Sequence, residues 1–205
     1  FAEFDEEMFT MIINEASTFA EQVLAPLNVN GDRQGCRIEN GAVVTPDGFT
    51  NAWKQLGEGG WLSMSLPPEF GGQGIPELIA VIGKETQLAA NQGFTIGASL
   101  TTGAANLIYT FGSDVQKNEF CQNMFSGKWA GTMCLTEPHA GSAVGDVITI
   151  ATKQEEGHYL IKGTKQFITN GDHDMADNIV HLLLARTPNS QQGSKGISLF
   201  IVPKK

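Results

Sequence analysis

A chain of 205 residues, 41% of them hydrophobic, can bury one or two cores, since domains run about 50–200 residues. Its 13 basic and 22 acidic side chains leave a formal charge of −9, which repels phosphate backbones and anionic lipid and argues against nucleic-acid or membrane partners. No uncharged apolar run nears the roughly 20 residues that cross a bilayer, and no signal-peptide pattern opens the chain.

Cys36, Cys121 and Cys134 are odd in number, widely spaced and without a C-x-x-C, which fits reduced thiols in the cytoplasm. The chain opens on Phe1 and stops at Lys205, two residues beyond a strand-like run, so a fragment of a longer protein is expected.

Residues 1–128 read as a helical domain. Asp5 is placed to cap a helix whose first turn holds Glu6 and Glu7, where the helix dipole favours anions. Met8, Ile12, Phe19 and Val23 follow at helical spacing, and Pro26 is expected to end the run. Asn28 to Phe49, with Gly31, Gly35, Gly41, Pro46 and Gly48, reads as an irregular connection holding a short strand at Ala42 to Thr45. A short helix over Asn51 to Leu56 turns Trp53 and Leu56 inward, and Gly57, Gly59 and Gly60 break it. The loop P-P-E-F-G-G-Q-G leads into a helix with Pro76 near its start and Leu78, Ile79, Ile82 and Leu88 as its apolar side. Thr95 to Phe111 is a Gly- and Ala-rich helix suited to close packing. Ser113 and Gln116 form a capping box for a last helix through Phe120, Met124 and Phe125, stopped near Gly127.

After Trp129 the period changes from near four to two, which predicts a β domain over residues 129–205. Its expected strands are Ala130 to Thr136, Val147 to Lys153, Tyr159 to Lys162, Gln166 to Thr169, Ile179 to Ala185 and Ile197 to Val202. Glu155, Glu156 and Gly157 make the tip of a hairpin. The fold class is therefore α+β, helices first and an antiparallel sheet after them.

The stretch Gly131 to Ser142, G-T-M-C-L-T-E-P-H-A-G-S, opens as a strand and closes as a glycine turn. A strand end that releases small hydrogen-bonding groups into such a turn suits a flat polar ring followed by a phosphate; an ordinary strand-to-turn junction is the other reading. Lys165-Gln-Phe-Ile-Thr-Asn-Gly171 again finishes in small polar residues, with Phe167 able to offer a ring face and Thr169 a hydroxyl and N–H. Other constellations are weaker. Gly72-x-Gly74 lacks the third glycine and the preceding buried strand of a dinucleotide turn. Asp172-His173-Asp174 with Asp177 has metal-ligand types but reads as a solvated acidic loop, so no metal is expected. His139 sits in the central turn, facing either a ligand phosphate or solvent, while His158 and His181 read as structural positions on strands.

Met133-Cys-Leu-Thr-Glu-Pro-His-Ala-Gly-Ser142, Gly163-Thr-Lys-Gln-Phe-Ile-Thr-Asn-Gly171 and Gly196-Ile-Ser-Leu-Phe-Ile-Val-Pro-Lys204, in that order and spacing, resemble the acyl-CoA dehydrogenases. The likeness spans essentially the whole chain. Val23-Leu-Ala-Pro-Leu-Asn28 and Gly31-Asp-Arg-Gln-Gly-Cys36 look most like the branch that contains 3-methylmercaptopropionyl-CoA dehydrogenase.

The resemblance implies an incomplete form of that fold, without its C-terminal helical bundle. It implies FAD as cofactor, an acyl-CoA substrate, electron-transfer flavoprotein as acceptor and a homo-oligomer at full length. By matching positions Leu135 and Thr136 would contact the flavin, Ser142 the FAD pyrophosphate and the passing CoA, and Phe167, Ile168 and Thr169 the flavin's other side. Met133 and Gly141 complete the implied cofactor set. Phe167 stands where many members have Trp, and Ala143 where the family usually has Asp. The implied reaction is α,β-dehydrogenation by a glutamate base and hydride transfer to flavin. The base is expected beyond Lys205, so no catalytic residue is assigned here and Glu137 is read as shaping its turn. The chain by itself is expected to bind FAD weakly or not at all and to be inactive. An acyl-CoA oxidase-like enzyme, a non-catalytic relative or a DNA-associated flavoprotein of the same fold are the alternatives.

Overall fold

The computed structural model describes residues 4–205. Asp5 caps α1 (Glu6–Phe19), its carboxylate accepting the Met8 N–H at 2.8 Å. The helical path does not stop at Pro26. A π turn at Ala20–Leu24 widens the backbone so that the Ala25 N–H reaches the Ala20 carbonyl, five residues back. Pro26 then lies in the opening turn of α2 (Ala25–Gln34), where a missing N–H leaves no hydrogen bond unmade. The expected irregular run from Asn28 therefore begins only at Gly35, whose φ of +62° ends α2. A hairpin of β1 (Arg37–Glu39) and β2 (Ala42–Val44) follows, and β2 is the short strand read from the sequence.

The next helix, α3 (Phe49–Glu58), is longer than its expected core and buries Phe49, Ala52, Trp53 and Leu56. It passes through Gly57, where a Cβ would run into the Ser126 carbonyl, so only glycine allows this approach. Helix α4 (Glu77–Ala90) starts directly after Pro76. Its inner side is Ile79, Ala80, Gly83 and Gln87, while Leu78, expected inside, points away and is 72% exposed. Helix α5 (Gln92–Phe111) runs through the middle of the molecule, and α6 (Asp114–Phe125) begins with the Ser113/Gln116 capping box.

Strands β3 (Trp129–Cys134), β4 (Ile150–Lys153), β5 (Tyr159–Lys162), β6 (Asn178–Arg186) and β7 (Ile197–Pro203) form one sheet, so helices precede strands as the α+β reading requires. The sheet is mixed and not antiparallel throughout. β6 runs parallel to β3 (Trp129 opposite Asn178) and antiparallel to β7 (Val180 opposite Pro203), and β4 touches its far end in parallel. The excursion through β4, β5 and the loop beyond is long enough to bring β6 back beside β3 in the same direction. The segment Gln166 to Thr169 forms no strand: Phe167 has φ +58° and Asn170 φ +54°, values a pleated strand excludes.

Sheet and helices meet where α5 lies across β3. Thr101 on α5 donates its hydroxyl to the Gly97 carbonyl at 3.0 Å and accepts the Gly131 N–H at 2.9 Å. A Cβ on Gly131 would stand 2.7 Å from Met124 Cε and 2.8 Å from Ala104 Cβ, so glycine sets the helix–strand spacing. Around this contact Ala104, Ala105, Ile108, Phe120, Met124, Val180 and Leu182 make one buried cluster, and Trp53, Leu56, Leu62, Phe94 and Ile179 belong to a second.

Candidate functional site

Strand β3 ends at Cys134, two residues before the expected Thr136, because the next two carbonyls turn to a neighbouring loop. Lys165 Nζ donates to the Leu135 carbonyl at 2.9 Å, and the Gln166 N–H donates to the Thr136 carbonyl at 2.9 Å. The two segments singled out from the sequence are thus joined side by side. Beyond them Glu137 and Ala140 exchange N–H···O bonds of 3.0 and 3.1 Å around Pro138 and His139, which closes the turn.

Glu137 organises this corner. Its carboxylate is 2% exposed and accepts the Ile148 N–H at 2.7 Å, the Thr149 N–H at 3.0 Å and Lys165 Nζ at 2.7 Å. Burial by itself would raise its pKa. The bonds from Ile148, Lys165 and Thr149 outweigh burial and hold the group at about 2. They also explain why the expected strand from Val147 begins only at Ile150: the intervening N–H groups are taken by a side chain.

The loop on the other side presents an aromatic ring outward. Phe167 is 86% exposed and holds a left-handed backbone, as does Asn170. For a bulky residue that conformation costs on the order of 1–3 kcal/mol and persists only where its surroundings impose it. Here the anchors are Lys165 and Gln166 on one side. On the other, the Asn170 amide lies so close to Gly97 of α5 that a methyl there would overlap it. Ile168 is half-buried and Thr169 exposed next to the ring.

Leu135 and Thr136 are half-buried, and the Thr136 N–H takes no backbone partner among the described residues. Gly141 and Ser142 are exposed on the turn. Met133 packs its side chain onto the buried cluster between α5, α6 and β6.

The Ser142 turn is held from behind by Arg186 at the end of β6, a residue the sequence reading did not single out. Its Nε donates to the Val147 carbonyl at 2.8 Å, Nη1 to Gln191 at 2.9 Å and Nη2 to Gly193 at 2.9 Å and to Gly145. An arginine directly after the apolar run Leu182 to Ala185 was the available signal. Ala143 occupies the N-cap of the short 3₁₀ turn Val144–Asp146 and offers it no side-chain acceptor.

The remaining candidates disperse. His139 is exposed and lies 3.2 Å from the Asp146 carbonyl, and His181 on β6 meets the Thr132 hydroxyl at 2.7 Å. His158 sits just before β5, near Glu156 at 3.8 Å. Gly72 and Gly74 spend their N–H groups on the Pro67 and Leu66 carbonyls, so they cannot cradle a phosphate. The aspartates of Asp172-His173-Asp174 and Asp177 are exposed, as a solvated acidic loop requires, but His173 is 7% exposed and packs on Trp53. Burial pushes its pKa below the ordinary histidine value. Among the described residues no group of three or more His, Cys, Asp or Glu is arranged to hold a metal, and no helix is long and apolar enough to cross a membrane. Cys36 is exposed, and Cys121 and Cys134 are buried free thiols.

An exposed ring face, a backbone N–H without a partner among the described residues, hydroxyls at Thr136, Thr169 and Ser142 and an exposed glycine turn make a donor set suited to a flat, polar ring bearing a phosphate tail. FAD fits that chemistry. The groove of about 860 Å³ between the end of α5, β5 and β7 contains none of these groups.

The family model for the acyl-CoA dehydrogenase N-terminal domain matches residues 6–128, and that for the middle domain matches residues 132–205. The 3-methylmercaptopropionyl-CoA dehydrogenase of Ruegeria pomeroyi is 44% identical over 192 residues, covering 94% of this chain and 33% of the relative. Among solved structures, an electron transferring flavoprotein of Acidaminococcus fermentans aligns at 30% identity with a TM-score of 0.79, over 98% of this chain and 48% of that one. An acyl-CoA dehydrogenase from Bacillus anthracis complexed with FAD aligns at 25% identity and a TM-score of 0.79, over all of this chain and 32% of that one. The chain spans about a third of the length of the curated relative it matches.

Proposed function

The chain belongs to the acyl-CoA dehydrogenase family, and on that premise we propose that it forms the flavin-side half of an enzyme dehydrogenating an acyl-CoA thioester. Its helical part is taken as residues 1–128 and its β part as 129–205. One observation carries the reading: Phe167 is turned out to 86% exposure on a strained, left-handed backbone, beside a segment joined to Thr136. Unfavourable backbone maintained at an exposed aromatic is the mark of a surface shaped for a ligand.

FAD bound there supplies the hydride acceptor for the substrate's β hydrogen. The Phe167 ring covers one part of the flavin, with Ile168 beside it. The Thr136 N–H and the Thr169 hydroxyl and N–H would hold its polar edge and favour negative charge on the ring. Leu135 and the Met133 backbone border the same edge, and Gly141 and Ser142 receive the pyrophosphate and the passing CoA. Glu137 is not the proton acceptor, because it is enclosed, fully bonded and held at about 2, far too weak a base for an α proton. That carboxylate is assigned to polypeptide outside these 205 residues.

The relative at 44% identity supports 3-methylmercaptopropionyl-CoA as substrate, and the resemblance supports electron-transfer flavoprotein as acceptor and a homo-oligomer. Free thiols at Cys36, Cys121 and Cys134 support a cytoplasmic setting. The test is to purify the complete natural protein and follow its flavin absorbance under anaerobic addition of 3-methylmercaptopropionyl-CoA and butyryl-CoA. Bleaching by either, with electrons passing to electron-transfer flavoprotein and not to peroxide, is expected. A protein that stays colourless after reconstitution with FAD would overturn the proposal.

A further inference from the structure

Directly after the Phe167 loop, three consecutive side chains reach three different parts of the fold. Asp172 pairs with Lys204 just past β7. His173 lies against Trp53 of α3, ring centroids 6.0 Å apart, while its Nδ1 accepts the Met175 N–H at 3.2 Å. Asp174 accepts both the N–H of Thr45, at 3.1 Å, and its hydroxyl, at 2.6 Å. Thr45 is 6% exposed and stands between β2 and α3, 129 residues away in sequence. Such bonds to a carboxylate are among the stronger ones a protein makes.

Resting on the flavin reading above, we propose that Asp172-His173-Asp174 is a latch that positions the Phe167–Thr169 face against the helical layer, with Asp174 its principal positioning residue.

Thr169 and Asp174 are five residues apart, so the anchor confines Thr169 to within about 17 Å even with the chain fully extended. The Gly171 N–H bonds the Ile168 carbonyl at 3.0 Å and shortens that span further. The loop also carries two left-handed residues, and such backbone relaxes unless both ends are held. Lys165 holds the first end through Glu137, and the second is held by Asn170 packed on Gly97 and, beyond it, by the Asp174–Thr45 contact.

The test compares Asp174→Ala, Asp174→Asn and Thr45→Val in the complete natural protein, reading FAD affinity by titration and amide hydrogen exchange by peptide. Asp174→Ala is expected to weaken FAD about tenfold. It should also speed exchange at residues 166–171 while α4 and α6 keep wild-type protection. Asp174→Asn retains an oxygen acceptor and is expected to restore most of both. Thr45→Val added to Asp174→Ala should cost little more, since the two residues share one contact. Unchanged exchange at 166–171 overturns the latch, as does an equal loss of protection along the whole chain, which marks a cohesive role alone. Local loosening with unaltered FAD affinity overturns the positioning role. If the wild type itself binds no FAD, the flavin reading fails, and the exchange data still decide the latch.

Discussion

Replacing Glu137 by Gln tests whether one buried carboxylate organises the corner of the site. The side chains of Glu137 and Lys165 are 1% and 8% exposed and 2.7 Å apart. Glu137→Gln leaves the enclosed Lys165 ammonium with only neutral acceptors, the Leu135 carbonyl and the new amide oxygen, and turns an NH2 towards the Ile148 N–H; breaking a buried pair in this way costs about 3–5 kcal/mol. By linkage, a carboxyl lowered from 4.5 to about 2 corresponds to about 3 kcal/mol of stability. The sign follows from proton uptake. The unfolded chain binds the extra proton between those two values, so the contribution is complete above about 4.5 and lost as the pH falls towards 2. Urea denaturation followed by tryptophan fluorescence should show Glu137→Gln less stable by about 3 kcal/mol at neutral pH, with the gap closing below pH 4.5. A gap under about 1 kcal/mol at neutral pH, the size of an exposed pair, would refute the reasoning, as would one that ignores acid.

Three further substitutions probe separate features. Phe167→Gly removes the ring and relieves the left-handed strain, so stability should stay within about 1 kcal/mol of wild type while FAD affinity in the complete protein falls; retained affinity would remove Phe167 from the flavin site. Gly131→Ala pushes a methyl against Met124 and Ala104 and is expected to cost about 1–3 kcal/mol by overpacking, read as a lowered Tm. Ala143→Asp supplies an acceptor at the N-cap of the Val144–Asp146 turn and should raise stability by about 0.5–1 kcal/mol; no gain would show that the turn needs no cap.

Much of the molecule was legible because it depends on near neighbours in the chain. The Asp5 cap, the Ser113/Gln116 box, the inward Trp53 and Leu56 and the Glu155–Gly157 hairpin tip each answer to residues a few positions away. Pro26 misled because a π turn just before it lets the helix restart, and that turn is stabilised by packing of Ala20 and Leu24. Leu78 misled because apolar character marks a candidate for burial without saying which side of a helix has a partner.

The amino-acid order by itself determined the helices-then-strands division, the family motifs and the small polar character of the two loops, since periodicity, capping and turn chemistry act over a few residues. Only the tertiary structure decided that β6 lies parallel to β3, that Lys165 meets Glu137, that Arg186 gathers four carbonyls and that Asp174 reaches Thr45. Most of these contacts join polar groups far apart in the chain, with at least one partner wholly or partly buried. Each such group must find a partner somewhere once water is excluded, and which partner it finds is set by how the layers close.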